Sequence, residues 1–230
     1  MLKILKIIGF FPISAKLRGY LYRFVVKLSG KGCVGKNFCI GFGSYIDARV
    51  ITINENVALG NLTRIKNLDN FEMGAFSTIG SSTIICGAAT ENKVGERIFK
   101  CGVKVDILCS HYFDVAAPII IGDNVTIAGK WTQFYTHSFD LVPNRLDGSI
   151  TLGNHIYVGA GCIVNLGVKV CDNVVIQGGT VVNKSILEPG VYTSNVFTKR
   201  GEIHEYSDLF QDSEQVKLSS SVNVFVRKDT

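Results

Sequence analysis

Aliphatic residues recur along this chain at a step of six. Leu152, Val158, Val164, Val170, Ile176 and Val182 form one ladder. Ile150, Ile156, Cys162, Val168, Val174, Thr180 and Ile186 form a companion two residues earlier. The same pair runs upstream, as Val103, Cys109, Val115, Ile121 and Ile127 and as Cys101, Ile107, Phe113, Ile119, Val125 and Trp131. Near the start Val34, Ile40 and Ile46 keep the step, and Ile53, Leu59, Ile65 and Phe71 follow after a slip of one residue. Met73, Ile79 and Ile85 follow after another.

A step of six fits neither the 3.6-residue turn of an α-helix nor the simple alternation of a strand. It predicts an all-β parallel solenoid of triangular section, in which each side is a short strand and a turn and three sides make a coil of about 18 residues. Aliphatic side chains at the repeated positions point into the prism, and each coil pairs its backbone with the coils above and below. Gly35, Gly60, Gly122, Gly153 and Gly159 follow ladder positions and suit the corners. Two stretches break the pattern, residues 88–100 (AATENKVGERIFK) and 140–149 (DLVPNRLDGS), and both read as excursions from the prism. The repeat ends past Val191. The division is therefore a basic helical segment over 1–30, the solenoid over 31–195 and a tail over 196–230, with a short helix expected near 202–210 and a strand near 220–227.

The first segment carries its own pattern. Leu17, Leu21, Phe24, Val25 and Leu28 recur at helical spacing, with Lys16, Arg18, Arg23 and Lys27 between them, which predicts an amphipathic basic helix. The apolar run from Ile4 to Phe11 is too short to span a bilayer and has no small-residue cleavage site after it. Such a helix either caps the end of the solenoid or docks at an anionic membrane surface. Charge sharpens the point. The whole chain carries +5, but its first 46 residues hold eight Lys and Arg and no acid, so the body is slightly acidic. A nucleic-acid partner is not supported, because the basic stretch is amphipathic and no stacking platform follows it. The seven cysteines contain no CxxC pair, which argues against a zinc site and for a reduced, cytoplasmic protein.

Residues 119–195 narrow the reading. IIIGDNVTIAGKWTQFYTHSFD, then SITLGNHIYVGAGCIVNLGVKVCDNVVIQGGTVVNK, resemble the core of the hexapeptide-repeat acetyltransferases, particularly the galactoside/maltose and polysaccharide O-acetyltransferases. The resemblance implies a left-handed β-helix, acetyl-CoA as acyl donor, and a homotrimer with the donor held between neighbouring prisms. It implies that His137, in Tyr135-Thr136-His137-Ser138, is the general base that takes a proton from the acceptor. Imidazole suits that work, since its ordinary pKa lies near neutrality. Gly159 and Ala160 match backbone positions that hold the pantetheine and the oxyanion, and Tyr157 stands where the family usually has Trp. Gly178, Asn183 and Lys184 match positions that line the donor. The family's closing G-N-P-A-K/R turn is here TSNVFTKR, in which Asn195, Lys199 and Arg200 could meet the nucleotide end but the proline is missing. Asp114 and His111, in SHYFDVAAP, fall one coil before His137 and are candidates for gripping the acceptor, Asp114 alternatively for orienting His137.

The leading expectation is O-acetylation of a sugar hydroxyl in bacterial polysaccharide assembly, on a small-molecule or oligosaccharide acceptor, in the cytoplasm or at the inner membrane surface. N-acetylation of an amino sugar uses the same base. A structural or metal-binding solenoid is the remaining alternative; the metal version needs His111, His137 and His155 to gather.

Overall fold

The computed structural model describes residues 2–87, 95–139 and 145–194, and the strands Ser213–Lys217 and Asn223–Arg227. The body is a left-handed parallel β-helix. Its first face stacks the strand ends at Ile53 and Met73 on Cys101, Ile121, Leu152 and Val170. The second stacks Ile40, Leu59, Ile79, Ile107, Ile127, Val158 and Ile176 in turn. The third stacks Ile46, Ile65, Ile85, Phe113, Phe134, Val164 and Val182. Every one of these residues is buried. Aromatics fill part of this core, where Phe71, Phe99, Phe113 and Phe134 succeed one another at ring separations of 4.7–5.9 Å.

The hexad ladders place nearly all of this core, and three of their members fail. Val103 and Trp131 are exposed and Cys109 is only half-buried. Val105 fills the interior position beside Ile107 instead of Val103, and an extra residue before Thr132 pushes Trp131 onto a turn with φ 63°. The coil is 18 residues between the stacked pair Val158 and Ile176; elsewhere extra residues lengthen it. The residues expelled between stacked Ile79 and Ile107, and between Ile127 and Val158, leave at the same corner, where the third face turns into the first. Of the two expected excursions, residues 88–94 and 140–144 lie outside the described residues. The rest of the first returns as the Ile98–Cys101 strand, and the second folds His137–Phe139 against Arg145–Asp147 as an antiparallel pair.

The corner between the second and third faces has a polar interior. Ser44, Thr63, Thr83, His111, Thr132 and Cys162 occupy equivalent places there, all buried. Each hydroxyl donates to a carbonyl of the next coil, as Ser44 does to Gly60 O at 2.6 Å and Thr132 to Gly159 O at 3.1 Å. Three of them also accept an N–H from that coil, Ser44 Oγ from Thr63 at 2.8 Å, Thr83 Oγ1 from His111 at 3.4 Å and Thr132 Oγ1 from Cys162 at 3.3 Å. His111 takes a hydroxyl's place in this series: its Nδ1 accepts the Thr132 N–H at 3.2 Å.

Two helices cover the first coil. α1 spans Leu2–Gly9 and α2 spans Ala15–Ser29, the latter capped by Ser14, whose hydroxyl accepts the Leu17 N–H, and by Gly30 at φ 63°. Gly9 and Gly19 let them lie directly on the coil: a Cβ would sit 2.1 Å from Ser44 O at the first and 1.8 Å from Phe38 O at the second. Arg18 is buried and donates to the carbonyls of Ile40, Phe11 and Ile13. Tyr22, fully buried, accepts the Ile46 N–H. The apolar stripe expected to dock does so in part: Leu21 and Val25 pack on the core beside the buried Tyr22 and Val26, whereas Leu17, Phe24 and Leu28 face out.

Residues 196–230 form a separate unit. Its described part is an antiparallel pair, Ser213–Lys217 with Asn223–Arg227, the second of which is the strand expected near 220–227. The expected helix at 202–210 lies outside the described residues, as do Asn195, Lys199, Arg200 and His204.

Burial holds the His111 pKa down, from 6.5 to about 4. The folded state therefore prefers the neutral ring; the stabilisation is complete above pH 6.5 and is lost as pH falls towards 4. Thermal unfolding of the wild type should lose stability over that window at up to about 1.4 kcal/mol per pH unit more steeply than His111→Thr, which keeps an acceptor in the ladder. Parallel pH profiles for the two would contradict the assignment.

Candidate active site

On the Tyr112–Val115 strand Phe113 is fully buried in the core, so alternation turns Tyr112 and Asp114 outward. Asp114 pairs in register with Tyr135 of the next coil, two residues before His137. The chain leaves the prism at Thr136, and the strand pair His137–Phe139 with Arg145–Asp147 folds beside this corner. The His137 ring comes to rest against Asp114, Nδ1 hydrogen-bonded to Asp114 Oδ2. Its other ring nitrogen, Nε2, has no hydrogen-bond partner among the described residues. Phe139 meets the ring edge-on at 5.9 Å. The Asp114 side chain is 6% exposed and that of His137 31%, so the carboxylate is covered while the imidazole stays accessible.

Burial raises the Asp114 carboxyl above the ordinary carboxylate range, against the pull of the His137 ring and its hydrogen bond. A covered carboxylate bonded to Nδ1 sets the tautomer: Nδ1 carries the proton and Nε2 the lone pair. The same carboxylate stabilises the imidazolium once Nε2 is protonated. Arg145 and Asp147 form an ion pair at 2.9 Å within the return strand, so the cation nearest this corner is already engaged.

Sequence reasoning missed Thr136, whose buried hydroxyl holds the corner together. It accepts the N–H groups of Ala116 at 2.8 Å and Ala117 at 3.0 Å and donates to Asp114 O at 2.8 Å. The Thr136 carbonyl accepts the Gly148 N–H at 2.9 Å, where the excursion returns. One residue, through its hydroxyl and its carbonyl, thereby ties the Asp114 strand, the start of the excursion and its end. The signal was its place two residues past the buried Phe134, where an aliphatic residue would be expected. Tyr112, Tyr135 and Gln133 were also missed; they stand on the outer face next to Asp114, with the two tyrosine rings 6.0 Å apart.

The other predicted site residues are not brought to this corner together. His111 shares the inward parity of Phe113 and lies inside the prism, 2% exposed, with no surface to offer an acceptor. Tyr157 is half-exposed on the second face. Gly159, Ala160 and Gly178 form the corner between the second and third faces, across the third face from His137. Gly159 and Gly178 stack so closely that a Cβ on Gly159 would sit 2.4 Å from Gly178 N. The Gly159 N–H donates to Ile176 O at 2.8 Å, so it is spent on the coil below and cannot also serve an oxyanion. Asn183 and Lys184 are exposed at the turn after Val182, on the His137 corner but farther along the stack. No group of three or more His, Cys, Asp or Glu among the described residues could hold a metal ion, and His111, His137 and His155 do not gather. The seven cysteines are free; only Cys101 and Cys162 are buried.

A hexad solenoid with a carboxylate-anchored histidine on an excursion can now be set beside known proteins. No protein-family model matches the chain. UDP-3-O-acylglucosamine N-acyltransferase of Bordetella avium (strain 197N) is 30% identical over 149 residues, 64% of this chain and 36% of that protein. Galactoside O-acetyltransferase of Escherichia coli (strain K12) is 35% identical over 83 residues, 34% of this chain and 40% of that protein. The chain is a hexapeptide-repeat β-helix, and these relatives in sequence are acyltransferases. It spans less than half the length of either. Two solved structures resemble it more loosely. An N-acyltransferase from Bacillus cereus, in complex with dTDP-4-amino-4,6-dideoxyglucose and coenzyme A, has 18% identity and a TM-score of 0.48 over 75% of this chain and 84% of that one. A hexapeptide-repeat acetyltransferase from Vibrio cholerae O1 biovar eltor, complexed with acetyl coenzyme A, has 18% identity and a TM-score of 0.41 over 80% of this chain and 75% of that one.

Two substitutions at this corner should differ sharply in cost. Thr136→Val strips two buried N–H groups and a carbonyl of their partner and should cost about 2–4 kcal/mol in thermal or denaturant unfolding. Asp114→Asn should leave stability at pH 7.5 unchanged or higher, because folding raises the Asp114 pKa and its ionised form therefore works against the folded state at neutral pH. The reverse ranking would contradict this account of the corner.

Proposed function

We propose that this chain is an acetyl-CoA-dependent acyltransferase that acetylates a sugar hydroxyl, with His137 as general base. The carrying observation is the half-exposed ring of His137, tied at Nδ1 to a covered carboxylate and without a partner at Nε2 among the described residues. In the reaction the acceptor O–H gives its proton to Nε2 as its oxygen attacks the thioester carbonyl carbon. The C–S bond then breaks, the ester remains on the acceptor, and the imidazolium returns the proton to the departing thiolate. Asp114 holds the ring and offsets its charge. It is thus a positioning residue, and the outward Tyr112, Gln133 and Tyr135 beside it are the surface on which a polyhydroxylated acceptor would lie.

Ala160 and Gly178 offer backbone N–H groups that make no backbone hydrogen bond among the described residues, and they would meet the thioester arm with Tyr157. Lys184 would meet a donor phosphate and Asn183 the arm beside it. Within one chain Ala160 and His137 stand at opposite edges of the third face, which supports a site completed between copies of a homotrimer. O-acetylation of a sugar hydroxyl is the reading in keeping with the galactoside relative, and the acceptor we propose is one used in polysaccharide assembly in the cytoplasm. N-acylation of an amino sugar is the second reading, favoured by the longer of the two matches, which covers 149 residues against 83; it uses the same base and donor.

Calorimetry with acetyl-CoA, followed by thiol release on a panel of sugars and amino sugars, tests this. His137→Ala should bind acetyl-CoA as the wild type does and lose about 10²–10⁴ in turnover. A folded wild type that binds no acetyl-CoA would overturn the proposal, and a hydroxyl or amino group on the turned-over acceptor separates the two readings.

A further inference from the structure

α1 and α2 have two apolar faces each, and the fold uses one. Leu5, Ile8, Tyr22 and Val26 are sealed against the prism. Ile4, Ile7 and Phe11 stand about half-exposed on the other side, and Leu17, Phe24 and Leu28 run along α2 as an outward stripe, Leu28 at 71% exposure. Capping the solenoid accounts for the inner faces and leaves the outer ones unexplained. Monomeric soluble surfaces do not usually gather this many large apolar side chains on one short segment.

The polar surroundings say what kind of surface would cover them. A groove of about 560 Å³ lies between α2 and the first coil, lined by Lys16, Arg23 and Lys36 with Tyr20 and Asn37. No acid lines it, and none of the three cations is in an ion pair among the described residues. The first 46 residues hold eight basic residues and no acid. A second copy laid on this face would bring like charges together. An anionic interface complements both features: negative headgroups for the cations, and an acyl boundary for the apolar stripe. No described helix is long and apolar enough to cross a membrane, so the contact is one of lying on the surface.

We infer that the N-terminal cap is a membrane-docking surface for anionic phospholipid, with a lipid phosphate received in the Lys16–Arg23–Lys36 groove and the exposed apolar residues of α1 and α2 seated at the headgroup boundary. The inference is independent of the acyl-transfer reading. If both hold, the enzyme works on an acceptor presented at a membrane.

The test is flotation of the full chain with vesicles of phosphatidylcholine alone and of phosphatidylcholine with about one-third phosphatidylglycerol, at low and high salt. The wild type should float with the anionic vesicles only, and less at high salt. The triple variant Lys16→Glu, Arg23→Glu, Lys36→Glu should weaken that binding at least tenfold, and so should the double variant Ile7→Asp, Phe24→Asp. Both change exposed positions, and unaltered circular dichroism and unfolding temperature would show that they fold. Failure of the wild type to float, or flotation of both variants like the wild type, would overturn the inference. So would binding of inorganic phosphate in the groove without vesicle binding. A change of solution mass in Ile7→Asp, Phe24→Asp would overturn it in favour of a second copy as the occupant.

Discussion

A parallel solenoid cannot change what it buries from one coil to the next without consequence. Each strand hydrogen-bonds to the equivalent strand above and below, so interior positions stack in columns, and every level must fill the same triangular space. A residue too many cannot be absorbed inside; it must be expelled at a corner. Here the expulsions that lengthen two coils occur at one corner, and the second of them carries His137. The same columns explain the polar series from Ser44 to Cys162, where corner carbonyls and N–H groups of successive coils need a buried partner. The regular part of the molecule thus dictates where irregular, functional chain can leave it.

At that corner the column places Asp114 one coil before Tyr135, and the exit at Thr136 lays the next residue back over the carboxylate. The covered Asp114 is costly to keep ionised, and the His137 ring is what offsets the cost. Thr136 keeps that arrangement in place by satisfying three backbone groups with one hydroxyl. The acid-base pair is therefore a product of the stacking and of one buried threonine.

Much of this was legible in the chain. A step of six repeated over many residues has few structural solutions, and Leu152 to Val182 all lie in the core. The pattern misled where an added residue shifts parity. Trp131 fitted the ladder by counting, yet the slip before Thr132 turns it out. His111 and Asp114 both fall one coil before His137, yet one parity sends His111 inward and the other sends Asp114 to His137. The stripe on α2 was visible, but a helix pattern does not say how far round the helix the core reaches; the close approach allowed by Gly19 buries Tyr22 and Val26 with Leu21 and Val25 packed beside them, and leaves Leu17, Phe24 and Leu28 outside. Gly159 matched a donor motif, while the coil-to-coil hydrogen bond that engages its N–H depends on stacking no motif displays.

The central claim is that the fold assigns opposite tautomers to two histidines. Long-range ¹H–¹⁵N spectra of the ¹⁵N-labelled protein at pH 8.5 would read both rings directly, with Asp114→Asn and His111→Thr to assign them. The account predicts His137 protonated at Nδ1, held by Asp114 with Nε2 free, and His111 protonated at Nε2, its Nδ1 accepting from Thr132. An Nε2-protonated His137 would leave no base at the open edge of the ring and would contradict it.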